Sequence, residues 1–146
     1  MTDRKHIVSL RLNNDDRHAI QAIASRLLVR ESDMYRLAVS QLLARLETLL
    51  DSSCRGFELL PLFLELREEL NYNLGFKKPQ LYKIINYKEL SPEKLVPMSD
   101  IELLILPHHA VRNRLAKLHQ VKEKNIDTDV WLKLYFEQKY FSAEKL

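Results

Sequence analysis

The chain opens with an apolar period of two and then changes to a period near four. Val8, Leu10 and Leu12 alternate with Ile7, Ser9 and Arg11, the pattern of a β-strand with two distinct faces. From Asn13 onward the apolar positions fall at helical spacing. Ala19, Ile20, Ile23, Ala24 and Leu27 form one stripe. Asn13 or Asn14 can cap this helix, and Asp15 and Asp16 lie in a first turn whose dipole favours them. The pattern breaks near residues 28–31. Ser32 then predicts the cap of a second helix, with Asp33 in its first turn and a stripe of Tyr35, Ala38, Leu42, Leu46 and Leu49. That helix should end in the run from Asp51 through Ser52, Ser53, Cys54 and Arg55 to Gly56, the best domain boundary in the chain.

Residues 57–146 predict a mostly helical domain. Pro61 can open a helix through Leu62, Phe63, Leu66 and Leu70 that stops at Gly75. Lys77, Lys78 and Pro79 read as a loop. Residues 80–87 fit strand and helix periods alike, so their state stays open. Ser91, Pro92 and Glu93 look like another helix start, and residues 99–106 like a short apolar helix or buried segment. A basic amphipathic helix follows over residues 111–124. Asp127 or Thr128 starts a last helix through Trp131, Tyr135 and Tyr140. Eleven of the twelve aromatic residues lie beyond Gly56, so this region has material for a core of its own.

A strand carries backbone N–H and C=O groups that must find partners, and no second strand of similar quality lies close by. The economical partner is another copy of residues 7–12, antiparallel about a two-fold axis, with Val8, Leu10 and Leu12 facing the helices of both protomers. Ile7, Ser9 and Arg11 then face outward on a two-stranded ribbon, which the major groove of B-DNA admits. Arginine reads guanine O6 and N7, serine bonds to several base edges, and an apolar side chain touches a thymine methyl.

The strand IVSLRL, the helix start NNDD, the stripe, and the run Arg30-Glu31-Ser32-Asp33-Met34-Tyr35-Arg36-Leu37-Ala38 resemble the ribbon-helix-helix DNA-binding proteins of the MetJ and Arc type. The resemblance covers about a third of the chain. It implies an intertwined homodimer and base contacts from Ile7, Ser9 and Arg11. It also implies a phosphate held around Ser32 and Asp33, where free N–H groups and the helix dipole favour an anion. The turn between the helices often holds a glycine in this family, and residues 28–31 have none. Arg4 and Lys5 form an arm that can touch phosphate. The expected fold class is mainly α. An amino-terminal ribbon-helix-helix module, residues 1–52, forms an intermolecular two-stranded antiparallel β-ribbon. A helical carboxy-terminal domain, residues 57–146, serves oligomerisation or effector binding.

Composition narrows the rest. The 146 residues are 46% hydrophobic and 29% charged, with net charge +3, as in soluble globular proteins. Two glycines and five prolines argue against a turn-rich β fold. No apolar run approaches the roughly 18 residues of a membrane span, MTDRKHIVSL lacks a signal-peptide core, and Cys54 is alone. A cytoplasmic location and no membrane partner are expected. Residues 1–50 carry eight Arg/Lys against six Asp/Glu. His108, His109 and His119 offer no i,i+4 ligand pair, so neither a metal nor another cofactor is expected. Arg112, Arg114, Lys117, Lys122 and Lys124 read as a solvated helix face, and the aromatic run beginning at Trp131 as core. Without a glycine-rich phosphate loop, nucleophile elbow or HExxH pair, no enzyme is expected.

The function these features predict is a sequence-specific DNA-binding transcriptional regulator of the repressor kind. It acts as a homodimer, or as a tetramer across adjacent sites. Its partners are double-stranded DNA, itself, and a protein or small-molecule effector at the carboxy-terminal domain. The alternatives are an antitoxin-like autorepressor whose carboxy-terminal region binds a protein, and an accessory protein of plasmid transfer or partition.

Overall fold

A computed structural model describes residues 4–88, 91–119 and 127–142. The chain divides into two compact units, Met1–Leu46 and Glu47–Leu146.

In the first unit, residues 4–13 carry neither helix nor strand. Two helices follow, α1 (Asn14–Leu27) and α2 (Glu31–Arg45), and they pack on each other. This overturns the expected β-ribbon, because the described residues form helices and loops and contain no strand. The reason lies in where hydrogen bonds go. A helix satisfies its backbone within one segment, whereas a strand needs a neighbour, and no described residue supplies one. Ile7, Val8 and Leu10 stay 97%, 86% and 71% exposed.

Local chemistry sets the helix ends. The Asn13 side chain accepts from the Asp16 N–H at 2.7 Å and starts α1. Leu28 closes it in the left-handed region, at φ 58 and ψ 40, where helices usually end in glycine. The glycine-free turn is therefore made by a leucine. α2 begins two residues earlier than a Ser32 cap would set it. Arg30 holds the cap position, and its N–H donates to the Asp33 carboxylate at 3.0 Å. Ser32 is simply the second helical residue. Ala24 is the only fully buried side chain among the described residues of this unit.

The described residues of the second unit form six α-helices: α3 (Leu60–Glu65), α4 (Arg67–Leu74), α5 (Lys78–Ile85), α6 (Met98–Leu103), α7 (His108–His119) and α8 (Thr128–Phe136). A π-helical turn, Glu137–Phe141, extends α8. α8 packs on α7 and α3, and α6 on α5. Leu60, Leu81, Ile85, Ile101, Leu115, Leu132 and Phe136 are essentially unexposed and belong to one core. Each such side chain stabilises by roughly 1.5–3 kcal/mol on burial. The open state of residues 80–87 resolves as helix, with Leu81 and Ile85 inward one turn apart. Pro79 starts that helix instead of sitting in a loop, because a first-turn proline loses no hydrogen bond. Residues 92–94 make only a 3₁₀ turn.

Two polar side chains of α4 finish α6. Arg67, buried, donates from Nε to the Leu103 carbonyl at 3.3 Å and also bonds the Leu106 carbonyl. Asn71, one turn on, donates to the Leu104 carbonyl at 2.8 Å. These carbonyls have no partner within their own helix. No helix among the described residues is long and apolar enough to cross a membrane.

Candidate functional site

Ile7, Ser9, Arg11, Arg4 and Lys5 all lie on the irregular segment before α1, and all are exposed. Ser32 is exposed in the first turn of α2, and Asp33 is half-buried beside it. The amino end of α2 already has an anion of its own. The Asp33 carboxylate accepts from the Arg30 backbone, and Arg36 reaches it at 3.0 Å. That backbone hydrogen bond, then the Arg30 side chain and the charges of Arg30 and Arg36, hold the Asp33 carboxyl below its usual range. What the surface offers at this point is therefore a pair of arginines around a carboxylate.

A second carboxylate ties the helices together. Glu31 accepts from Tyr35 at 2.8 Å and from Gln21 of α1 at 3.0 Å, with Arg17 of α1 at 3.6 Å. The Tyr35 bond first, then Gln21 and Arg17, lower its pKa.

Charge is divided unevenly between the units. Residues 1–46 carry eight Arg/Lys against five Asp/Glu, a balance of +3, and residues 47–146 carry fifteen of each. Seven of the eight cations in the first unit are arginine, against four of fifteen in the second.

The second unit buries a polar centre. Asp100, 2% exposed, accepts from Tyr135 at 2.8 Å, from Lys139 at 2.7 Å, and from Tyr140. Burial, then the Asp100 hydrogen bond, raises the pKa of both tyrosines. Burial works against the Lys139 ammonium, but the Asp100 hydrogen bond and charge outweigh it and its pKa also rises. The tyrosines thus stay neutral and the lysine charged at pH 7, which suits a tie between α6 and α8 better than acid–base chemistry. Beside it lies a groove of about 520 Å³, lined in part by Met98, Arg114, Lys117, Tyr135 and Lys139. A larger groove of about 880 Å³ runs past Pro61, Leu64, Val130, Leu134 and Phe141.

Two members of the basic stripe on α7 are engaged within the unit. Arg114 pairs with Glu102 at 2.6 Å, and the Arg112 guanidinium lies 5.7 Å from the Trp131 ring centre. Lys122 and Lys124 lie outside the described residues. His108 meets two carboxylates that its sequence neighbours do not supply: Glu68 of α4 at 2.6 Å and Asp129 of α8 at 3.8 Å. Histidine spacing gave no sign of this trio, because its members come from three helices. Asp100 did leave a trace, as one of two carboxylates in the apolar run over residues 96–106.

Comparison with models of protein families, with curated proteins and with solved structures finds no match to this chain.

Proposed function

We propose that the chain is a DNA-binding regulator that works as a homodimer, with the first unit contacting DNA and the second acting as an effector or assembly domain. The observation that carries this reading is the division of charge. All of the net positive charge lies in residues 1–46, almost wholly as arginine. Arginine suits planar recognition of phosphate and guanine better than lysine does, and a basic patch raises affinity through counterion release. Ile7, Ser9 and Arg11 contact bases from the irregular segment before α1, and Arg4 and Lys5 contact phosphates. At the start of α2, Arg30 and Arg36 supply the charge, Ser32 adds a hydroxyl, and Asp33 holds the two arginines.

Self-association is supported by uncovered apolar surface. Ile23, Leu27, Leu37, Val39, Leu42 and Leu43 are each about half exposed. A module this small needs more core than Ala24 to stay folded, and an identical copy presents a complementary apolar face. The antitoxin alternative has weaker support, since such tails lack a core when free and residues 47–146 have one.

The test is selection of bound duplexes from a random pool by the full chain, followed by sequencing. An enriched repeat is expected. Absence of any retained DNA at low salt contradicts the reading.

A further inference from the structure

We propose that Glu68, His108 and Asp129 form a binding site for one divalent transition-metal ion of the zinc class. One ligand atom from each residue lies within 4.8 Å of the other two. His108 opens α7, and Glu68 and Asp129 lie in the first turns of α4 and α8. Three separate helices therefore aim donors at one point.

Ordinary helix-start preference accounts for the two carboxylates taken singly. It does not account for their meeting on one ring nitrogen. Nε2 of His108 is 2.6 Å from Glu68 Oε1 and 3.8 Å from Asp129 Oδ1. A single N–H serves one acceptor well, so Asp129 is left beyond hydrogen-bond range. Two carboxylates thus converge on one ring nitrogen. Arg67 feels the charges of both carboxylates, but its N–H groups are turned to the Leu103 and Leu106 carbonyls. A bound cation resolves both problems.

The distances suit a small ion. Zinc bonds of roughly 2.0–2.2 Å in a tetrahedron set donors about 3.4 Å apart. The His108–Glu68 pair has to open by less than 1 Å, and the His108–Asp129 pair has to close by less than that. All three side chains are at least 45% exposed, which leaves them free to adjust and leaves water as a fourth ligand. One nitrogen and two carboxylate oxygens favour zinc, manganese or iron(II) over calcium. Asp129 also lines the larger groove. The proposal does not depend on DNA binding.

The test is isothermal titration of the untagged, chelator-treated full chain with Zn²⁺. One ion per chain is expected. His108→Ala and Asp129→Asn should each weaken it at least tenfold with unchanged circular dichroism, while His109→Ala should leave it intact. No saturable uptake by the wild type overturns the site, and so does uptake that survives the His108→Ala/Asp129→Asn double substitution.

Discussion

Tyr135 and Tyr140 lie five residues apart and both donate to the carboxylate of Asp100. An α-helix sets residues i and i+5 on different faces. The π-helical turn at Glu137–Phe141 widens the last turn of α8 and brings Tyr140 into line with Tyr135 and Lys139, a known use of i→i+5 geometry. The buried carboxylate thus has three donors from a single helix end.

Removing a donor should cost stability in a graded way. Tyr140→Phe leaves Asp100 with two partners and should cost roughly 1–2 kcal/mol. Lys139→Met removes its only ion-pair partner among the described residues; because Lys139 is 41% exposed, the loss should be about 2–3 kcal/mol, short of the range for a fully buried pair. Urea denaturation followed by Trp131 fluorescence measures both.

The same cluster sets an alkaline limit. The folded-state pKa values of Tyr135, Tyr140 and Lys139 are raised above ordinary values of 10.0 and 10.5. Their contribution is therefore fully present below about pH 10 and is lost as pH rises through the folded values. The midpoint of thermal unfolding should fall steeply above pH 10, and Tyr140→Phe should flatten that fall.

The first unit has the opposite dependence. Glu31 and Asp33 titrate below their ordinary values of 4.5 and 3.8. The stability they confer is present above those values and is lost as pH falls through the folded ones. Glu31→Gln should reduce the acid sensitivity of the helical circular dichroism signal below pH 4.5, and an unchanged acid profile would remove Glu31 as the tie between α1 and α2.

Two helix ends share one geometry with different residues. Gly75 closes α4 at φ 58, and Leu28 closes α1 at φ 58. A side chain in this region costs about 1 kcal/mol. Leu28→Gly should therefore stabilise by about that amount, and Gly75→Ala should destabilise similarly, although no atom lies within 4 Å of the added methyl. Differential scanning calorimetry on the two variants checks the pair.

These elements mark what was readable in the sequence. Gly75, Pro61 and the cap at Asn13 act through local chemistry that a single residue declares, so the ends of α1 and α4 were legible. Residues 7–12 were not, because alternation describes one strand face and says nothing of whether a ladder partner exists. The Asp33 cap was hidden by Ser32, a better N-cap residue by propensity that loses to a carboxylate reaching back from the third helical position. Asp100 with Tyr140, and His108 with Asp129, are contacts across 40 and 21 residues. Only the packing of helices creates them.

If the first unit covers its apolar face with a second copy, sedimentation velocity should find a dimer at micromolar concentration. Leu42→Glu places a charge on a side chain that is 52% exposed within one chain, so it should shift the protein to monomer and lower the helical signal of the first unit. A dimer indifferent to Leu42→Glu and Leu27→Glu together would move the interface away from α1 and α2.

DNA binding by the first unit is tested most directly by fluorescence anisotropy of a labelled duplex titrated with the full chain at 50 and 200 mM salt. With Arg4, Lys5, Arg30 and Arg36 on phosphates in each of two protomers, affinity should fall roughly ten-thousandfold across that range. Arg4→Ala/Lys5→Ala removes four charges per dimer and should lower the slope of log affinity against log salt by about 3.6. Arg11→Ala should cost roughly 1–3 kcal/mol on a preferred sequence and less on a scrambled one. No binding at 50 mM salt, or a slope unchanged by the double substitution, would contradict the assignment of DNA contact to this segment.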